Sequence, residues 1–203
     1  MRLGHSSVVA LLFLARAVLA QDPRLAARLD NPTLVAVNAI IDSARVSKLP
    51  TAPLVDKALE GAARGRDGAT IISAVHQLSV RMGSAKRALA TNATPDEIKA
   101  AASALDVGVS VRDLARLRAA SGKQPVTVPL AVLTDLVGQK VPILTATNVV
   151  LQLARSGVKD PEFAAFQRNV RADIDQGADP TVAATTRARG ALARNATPTK
   201  PSE

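Results

Sequence analysis

The chain has 203 residues, 47% of them apolar but only 1% aromatic, with no cysteine and a formal net charge of +9. Without cysteine there is no disulfide staple, no lipid-bearing cysteine and no thiolate metal ligand, so stability has to come from packing alone. The length suits one domain with a substantial core. That core must be assembled from Ala, Leu, Val and Ile, because tryptophan and tyrosine are absent and phenylalanine occurs three times.

Residues 1–20 read as a secretory leader. Arg2 and His5 precede the apolar run Val8 to Ala15, Arg16 interrupts it, and Val18-Leu19-Ala20 stands before Gln21-Asp22-Pro23. A charged start, a short apolar middle and a small-residue cleavage site are the parts of a signal peptide, whereas a membrane span needs about 20 apolar residues. The expectation is cleavage near Ala20-Gln21, with Ala15-Arg16-Ala17 as a second cut, and export to the periplasm or the extracellular space. The mature chain would then have 183 residues, a charge of +7 and no transmembrane span.

Beyond the leader the chain reads as short helices with clear starts and stops. Asn31-Pro32 opens a helix carrying Leu34, Val37 and Ile41, and "KLPTAP" precedes a second with Leu54, Val55, Ala58, Leu59 and Ala62 on one face. Ile71, Val75, Leu78, Met82, Ala85 and Leu89 form a seam at helical period, with Gly83 as an expected kink. Thr94-Pro95-Asp96-Glu97 combines an N-cap, a proline at the first helical position and a glutamate three residues on, which is a capping box. Its helix buries Ile98, Ala101, Ala102 and Leu105 and stops at Gly108. Ser110 and Asp113 open the next, with Val111, Leu114 and Leu117, ending at Gly122.

Residues 125–154 carry β-branched residues in partial alternation, so a β-hairpin turning at Gly138-Gln139 is one reading. Pro129 and Pro142 would each remove a ladder donor from such strands, and both fit helix first turns. Two central helices, apolar nearly all round, are the preferred reading. Asp160-Pro161 begins a helix with Phe163, Phe166, Val170 and Ile174, ending at Gly177. Asp179-Pro180 begins a weak last one with only Val182 and Leu192 as large apolar residues, and a disordered tail follows from about Asn195. The organisation expected is therefore a leader over 1–20, an all-helical domain over 21–178, and a weak helix with a tail over 179–203.

The helices group into pairs whose first members begin near Pro53, Pro95, Pro129 and Pro161. "SAVHQL" at 73–78 parallels "NVVLQL" at 148–153, and "ALATNATP" at 88–95 matches "ALARNATP" at 191–198 in seven of eight positions. The fold class expected is all-α: an array of short antiparallel helical hairpins, a degenerate α-solenoid or an irregular helical bundle.

Chemistry-bearing motifs are sparse. His76 is the one histidine beyond the leader and flanks the apolar seam; with no cysteine beside it, no zinc site is expected, and no nucleophile-elbow motif accompanies it. "DIDQGAD", Asp173 to Asp179, fails as a calcium loop, because Gly177, Ala178 and Ala184 stand where that loop needs a ligand, a glycine and a bidentate acid. No cofactor fingerprint appears. Arg112, Arg116, Arg118 and Lys123 form the densest basic stretch, and Arg112 and Arg116 share a helix face; this is the candidate anion-binding group. Asn92-Ala93-Thr94 and Asn195-Ala196-Thr197 fit the glycosylation sequon. Nucleic acid is not an expected partner, for want of aromatic stacking platforms.

Three functions follow in order of preference. The first is a non-enzymatic exported scaffold that binds a protein or peptide in grooves between hairpins. The second is a basic protein held electrostatically to anionic envelope polymer or lipid. The third is a hydrolase working through carboxylates alone.

Overall fold

The computed structural model describes residues 22–90 and 92–196, so the expected leader and the end of the expected tail lie outside the described residues. The described residues form ten helices and no strand. They are α1 (Pro23–Ala26), α2 (Asn31–Val46), α3 (Ala52–Ala63), α4 (Gly68–Leu89) and α5 (Pro95–Asp106), then α6 (Val111–Ser121), α7 (Thr127–Gly138), α8 (Ile143–Arg155), α9 (Asp160–Asp175) and α10 (Pro180–Ala196).

The even-numbered helices pack each on the next, α2 on α4, α4 on α6, α6 on α8 and α8 on α10, and make one row. Facing them, α5, α7 and α9 pack in the same order, while α3 stands beside α5 across a groove of about 420 Å³ floored by α4. Helix α1 docks on α2 and α3 through Leu25, which is wholly buried. The result is a two-row array of helical hairpins. The helices beginning at or near Pro53, Pro95, Pro129 and Pro161 are α3, α5, α7 and α9, so the prolines mark the starts of a single row.

Six connections repeat one device. Each helix ends in a left-handed residue, and the next residue returns its N–H to the carbonyl five back. The left-handed residues are Lys48, Gly65, Gly108, Lys140, Gly157 and Gly177. The returning bonds are Leu49 to Ala44, Arg66 to Gly61, Val109 to Ala104, Val141 to Leu136, Val158 to Leu153 and Ala178 to Asp173, all 2.9–3.1 Å. Leu49, Val109, Val141 and Val158 are buried as they do so, which fixes the exit angle of the chain. The next helix then starts within a few residues.

The capping box over Thr94–Glu97 forms, with Glu97 N–H donating to Thr94 Oγ1 at 3.2 Å and Thr94 N–H to Glu97 Oε2 at 2.9 Å. Residues 125–154 are two helices, α7 and α8, with Pro129 in the first turn of α7 and Pro142 as the cap of α8. Three details differ from the sequence reading. The cap of α2 is Asp30, which accepts from Thr33 N–H at 2.8 Å, one residue before Asn31. Helix α4 runs unbroken through Gly83 for 22 residues. Helix α10 is a full 17-residue element reaching past Asn195; it docks on α8 and α9 through Ala183, Ala184, Ala188 and Ala191, while Val182 faces solvent. Alanine stripes of this kind let helix backbones approach closely, and their small side chains gave little apolar signal to read.

Both phenylalanines of α9 are buried, and every large side chain of the core other than these and Met82 is Leu, Ile or Val. Gly61 and Gly68 mark close approaches: a Cβ on Gly61 would stand 2.8 Å from Ile71 Cγ1, and one on Gly68 would stand 2.1 Å from Thr33 Oγ1.

Candidate functional site

The exposed large hydrophobic residues of the described chain are Val35, Val46, Val80, Val111, Ile143, Leu144 and Val182, between 38% and 84% exposed. All seven lie on even-numbered helices: two on α2, one on α4, one on α6, two on α8 and one on α10. The odd row carries none of them.

Helical spacing explains how each side chain reaches the surface. On α2, Thr33, Val37, Ile41 and Ala44 are buried, which leaves Val35, Ala39 and Val46 outward. On α8, Leu144, Asn148, Gln152 and Arg155 form an exposed stripe at intervals of four, four and three. On α10, Val182, Thr186 and Arg189 repeat the arrangement. The even helices pack side by side, and each exposes single aliphatic residues among small polar and basic ones. The expected all-round apolar character of α8 resolves here: its surplus residues, Ile143 and Leu144, are exposed.

Between α2 and α4 the face opens into a groove of about 900 Å³. Ala39, Ile40, Ser43, Ser47 and Leu49 form one wall, and His76, Ser79, Val80, Gly83, Lys86, Arg87 and Ala90 the other. The groove is wide because Ala39, Ser43, Ser79 and Gly83 are small. Its base is apolar, its walls carry hydroxyls, and its titratable groups are cationic or imidazole. No carboxylate lines it to orient His76, which is exposed on the rim. Lys86 is held down, its Nζ donating to the carbonyls of Ser47 at 2.8 Å and Lys48 at 3.2 Å, where it neutralises the C-terminal end of α2. Among the described residues, Arg87 has only an intrahelical bond, to Ser84 Oγ at 3.0 Å.

The four basic residues singled out in the sequence stand in different settings. Arg112 is exposed on α6 and makes no hydrogen bond or ion pair with the described residues. Arg116 is exposed but shared with Asp113 at 3.0 Å. Lys123 lies on the α6–α7 connection and is exposed. Arg118 departs from the expectation. Its side chain is 19% exposed, pairs with Glu97 Oε1 at 3.0 Å, and donates to the carbonyls of Gly122, at 2.7 Å, and Gln124. Arg118 is thus a structural strut whose charge is already matched. Glu97 itself is buried and also accepts the N–H of Val126 at 3.0 Å, so one carboxylate ties α5, α6 and the start of α7. Burial pushes its carboxyl up, but the N–H groups of Thr94 and Val126 and the Arg118 charge outweigh that and hold it below the usual range.

In the "DIDQGAD" stretch, Asp173, Gly177 and Asp179 each have structural work. Asp173 forms a two-pronged pair with Arg187 of α10, at 2.6 Å from Nε, with a lowered carboxyl pKa caused by that bond. Gly177 adopts the left-handed turn, and Asp179 caps α10 by accepting from Val182 N–H at 3.0 Å. Among the described residues, no group of three His, Cys, Asp or Glu comes together to hold a metal ion, and no helix is long and apolar enough to cross a membrane.

The described residues define a class: a two-row array of helical hairpins in which the exposed large aliphatics all belong to one row. Comparison of the chain with protein-family models, with curated proteins and with solved structures finds no match.

Proposed function

We propose that the protein is an exported scaffold that binds a polypeptide on the exposed face of its even-numbered helices. The observation that carries the reading is the one-sided placement of the seven exposed aliphatic residues. Scattered surface aliphatics are ordinary, but their confinement to one row marks a surface kept for contact. Helical arrays present extended surfaces well suited to this use, and the α2–α4 groove supplies the concavity in which an apolar side chain of a partner can be desolvated. Export rests on the leader read from residues 1–20; N-terminal sequencing of the protein recovered outside the cytoplasm should find a start near Gln21.

Binding is tested by selecting a displayed random-peptide library on the purified protein. Selected peptides should lose about tenfold or more in affinity, roughly 1.4 kcal/mol, against Val80→Glu or Leu144→Glu. They should keep their affinity for Lys99→Glu, which changes the odd row. Both even-row sites are exposed, so unchanged melting curves accompany the loss. No enrichment, or peptides indifferent to both even-row changes, would contradict the reading.

A further inference from the structure

The two rows differ in charge as sharply as in hydropathy. Helices α2, α4, α6, α8 and α10 together carry eleven Arg and Lys and two acids, Asp42 and Asp113. Arg45 and Arg116 hold those acids three residues along their own helices, and Arg81, Arg118 and Arg187 pair with Asp106, Glu97 and Asp173 of the other row. Among the described residues this leaves Lys86, Arg87, Arg112, Arg155, Arg189 and Arg194 of the even row without an ion pair. Helices α1, α3, α5, α7 and α9 carry five basic residues and ten acids. The chain is basic overall, but among its helices the excess belongs to one row.

Solubility alone does not require this separation. Mixed charge on both rows would serve better, since a single-sign face concentrates counter-ions and attracts anions. The same row holds the exposed aliphatics and the α2–α4 groove, whose lining contains no carboxylate. By contrast, the groove between α3 and α5 mixes Asp56, Glu60 and Asp106 with Lys57, Arg81 and Lys99.

We propose that the partner segment is an acidic polypeptide with spaced apolar residues, which seats an apolar side chain between Ile40, Leu49 and Val80 and sets its carboxylates against Arg87 and Arg112. This rests on the polypeptide-binding reading above and adds the chemistry of the partner. An anionic bilayer fits less well. Interfacial helices insert bulky Trp, Phe and Leu, whereas this face offers mostly valines and both described phenylalanines are 1% exposed. A bilayer would also leave the concave groove unfilled.

The test uses three labelled synthetic peptides of one length: one of Glu, Asp, Leu and Ala, one with Gln and Asn replacing the acids, and one with Lys replacing them. Binding to the purified protein is followed by fluorescence anisotropy. Vesicles of phosphatidylglycerol with phosphatidylcholine are co-sedimented in parallel. The acidic peptide should bind about tenfold or more tighter than its amide counterpart, and the advantage should shrink between about 50 and about 300 mM salt. Arg87→Glu combined with Arg112→Glu should abolish the preference, while Lys99→Glu should leave it intact. Equal affinity for all three peptides would overturn the acidic partner and leave polypeptide binding standing. Failure to bind any of them would overturn both, and vesicle binding in that case would assign the face to lipid.

Discussion

Glu97 shows how one side chain can hold three elements. It closes the capping box of α5, receives the N–H that leads into α7, and neutralises Arg118 at the end of α6. Removing it leaves a guanidinium of low exposure and a buried N–H without partners, so Glu97→Ala should cost about 3 kcal/mol, read from denaturant unfolding. Because its carboxyl is held below the ordinary glutamate range, its contribution is complete above the unfolded-state pKa of about 4.3 and is lost as pH falls through the lower folded value. A melting series taken to low pH should therefore fall less steeply for Glu97→Gln than for the native chain. Lys48 and Lys140 carry the opposite kind of information. Both occupy left-handed turns, with φ of 54° and 67°, at the position where Gly65, Gly108, Gly157 and Gly177 stand in sister turns. A side chain there costs about 1 kcal/mol relative to glycine, so Lys48→Gly and Lys140→Gly should each raise the melting temperature by about 2–4 °C. Gly108→Ala should lower it, since its φ is +94° and the new Cβ would lie 3.0 Å from Ile143 Cδ1.

At the level of elements, helix starts were the most legible feature. Prolines with Thr or Asp before them place the N-termini of α5, α9 and α10 within a residue or two, and Ser110 places that of α6, because caps and first-turn prolines act locally. The prolines at 129 and 142 also resolved 125–154 in favour of helices. Connections were readable too, in a pattern that becomes clear once the turns are known. "KLP" at 48–50, "GVS" at 108–110, "KVP" at 140–142 and "GVK" at 157–159 each join a left-handed residue and a buried aliphatic to the N-cap of the next helix or, for Pro50, to the residue before it. Lysine in two of them hid the repeat, since it is not a residue that signals positive φ. Helix α10 was least legible. Its buried stripe is Ala183, Ala184, Ala188 and Ala191, and hydropathy pointed instead to Val182, which is exposed. Ala184→Leu should therefore destabilise the protein by about 1–3 kcal/mol through overpacking, whereas Val182→Ser should leave thermal unfolding nearly unchanged. Residues 88–95 and 191–198 match in sequence but not in setting: Leu89 ends α4, whereas α10 continues through Ala196.

At the scale of the whole molecule the candidate site could not be read from the sequence, because it is a property of the row and not of any segment. The basic stretch from Arg112 to Lys123 is dense along the chain, yet Arg118 turns inward to Glu97, 21 residues away. Its place beside Leu114 and Leu117, the buried stripe of α6, was the available sign that it differs from Arg112. Conversely, Val35, Val80, Val111, Leu144 and Val182 are separated in sequence and come into one row only when alternate helices pack together. Charge follows the same alternation. A two-row array gives each hairpin one helix per row, so residues of like purpose recur at every second helix, a period too long and too irregular to stand out in an alanine-rich sequence.

The most direct measurement of the central claim is a titration of the isotopically labelled protein with the acidic peptide, followed in its ¹H–¹⁵N spectrum. The account predicts progressive shifts at even-row positions such as Val35, Val80, Arg87, Arg112 and Leu144, with Lys99, Ser103 and Asp106 of α5 unmoved. Shifts gathered on α3 and α5, or spread evenly over both rows, would contradict it.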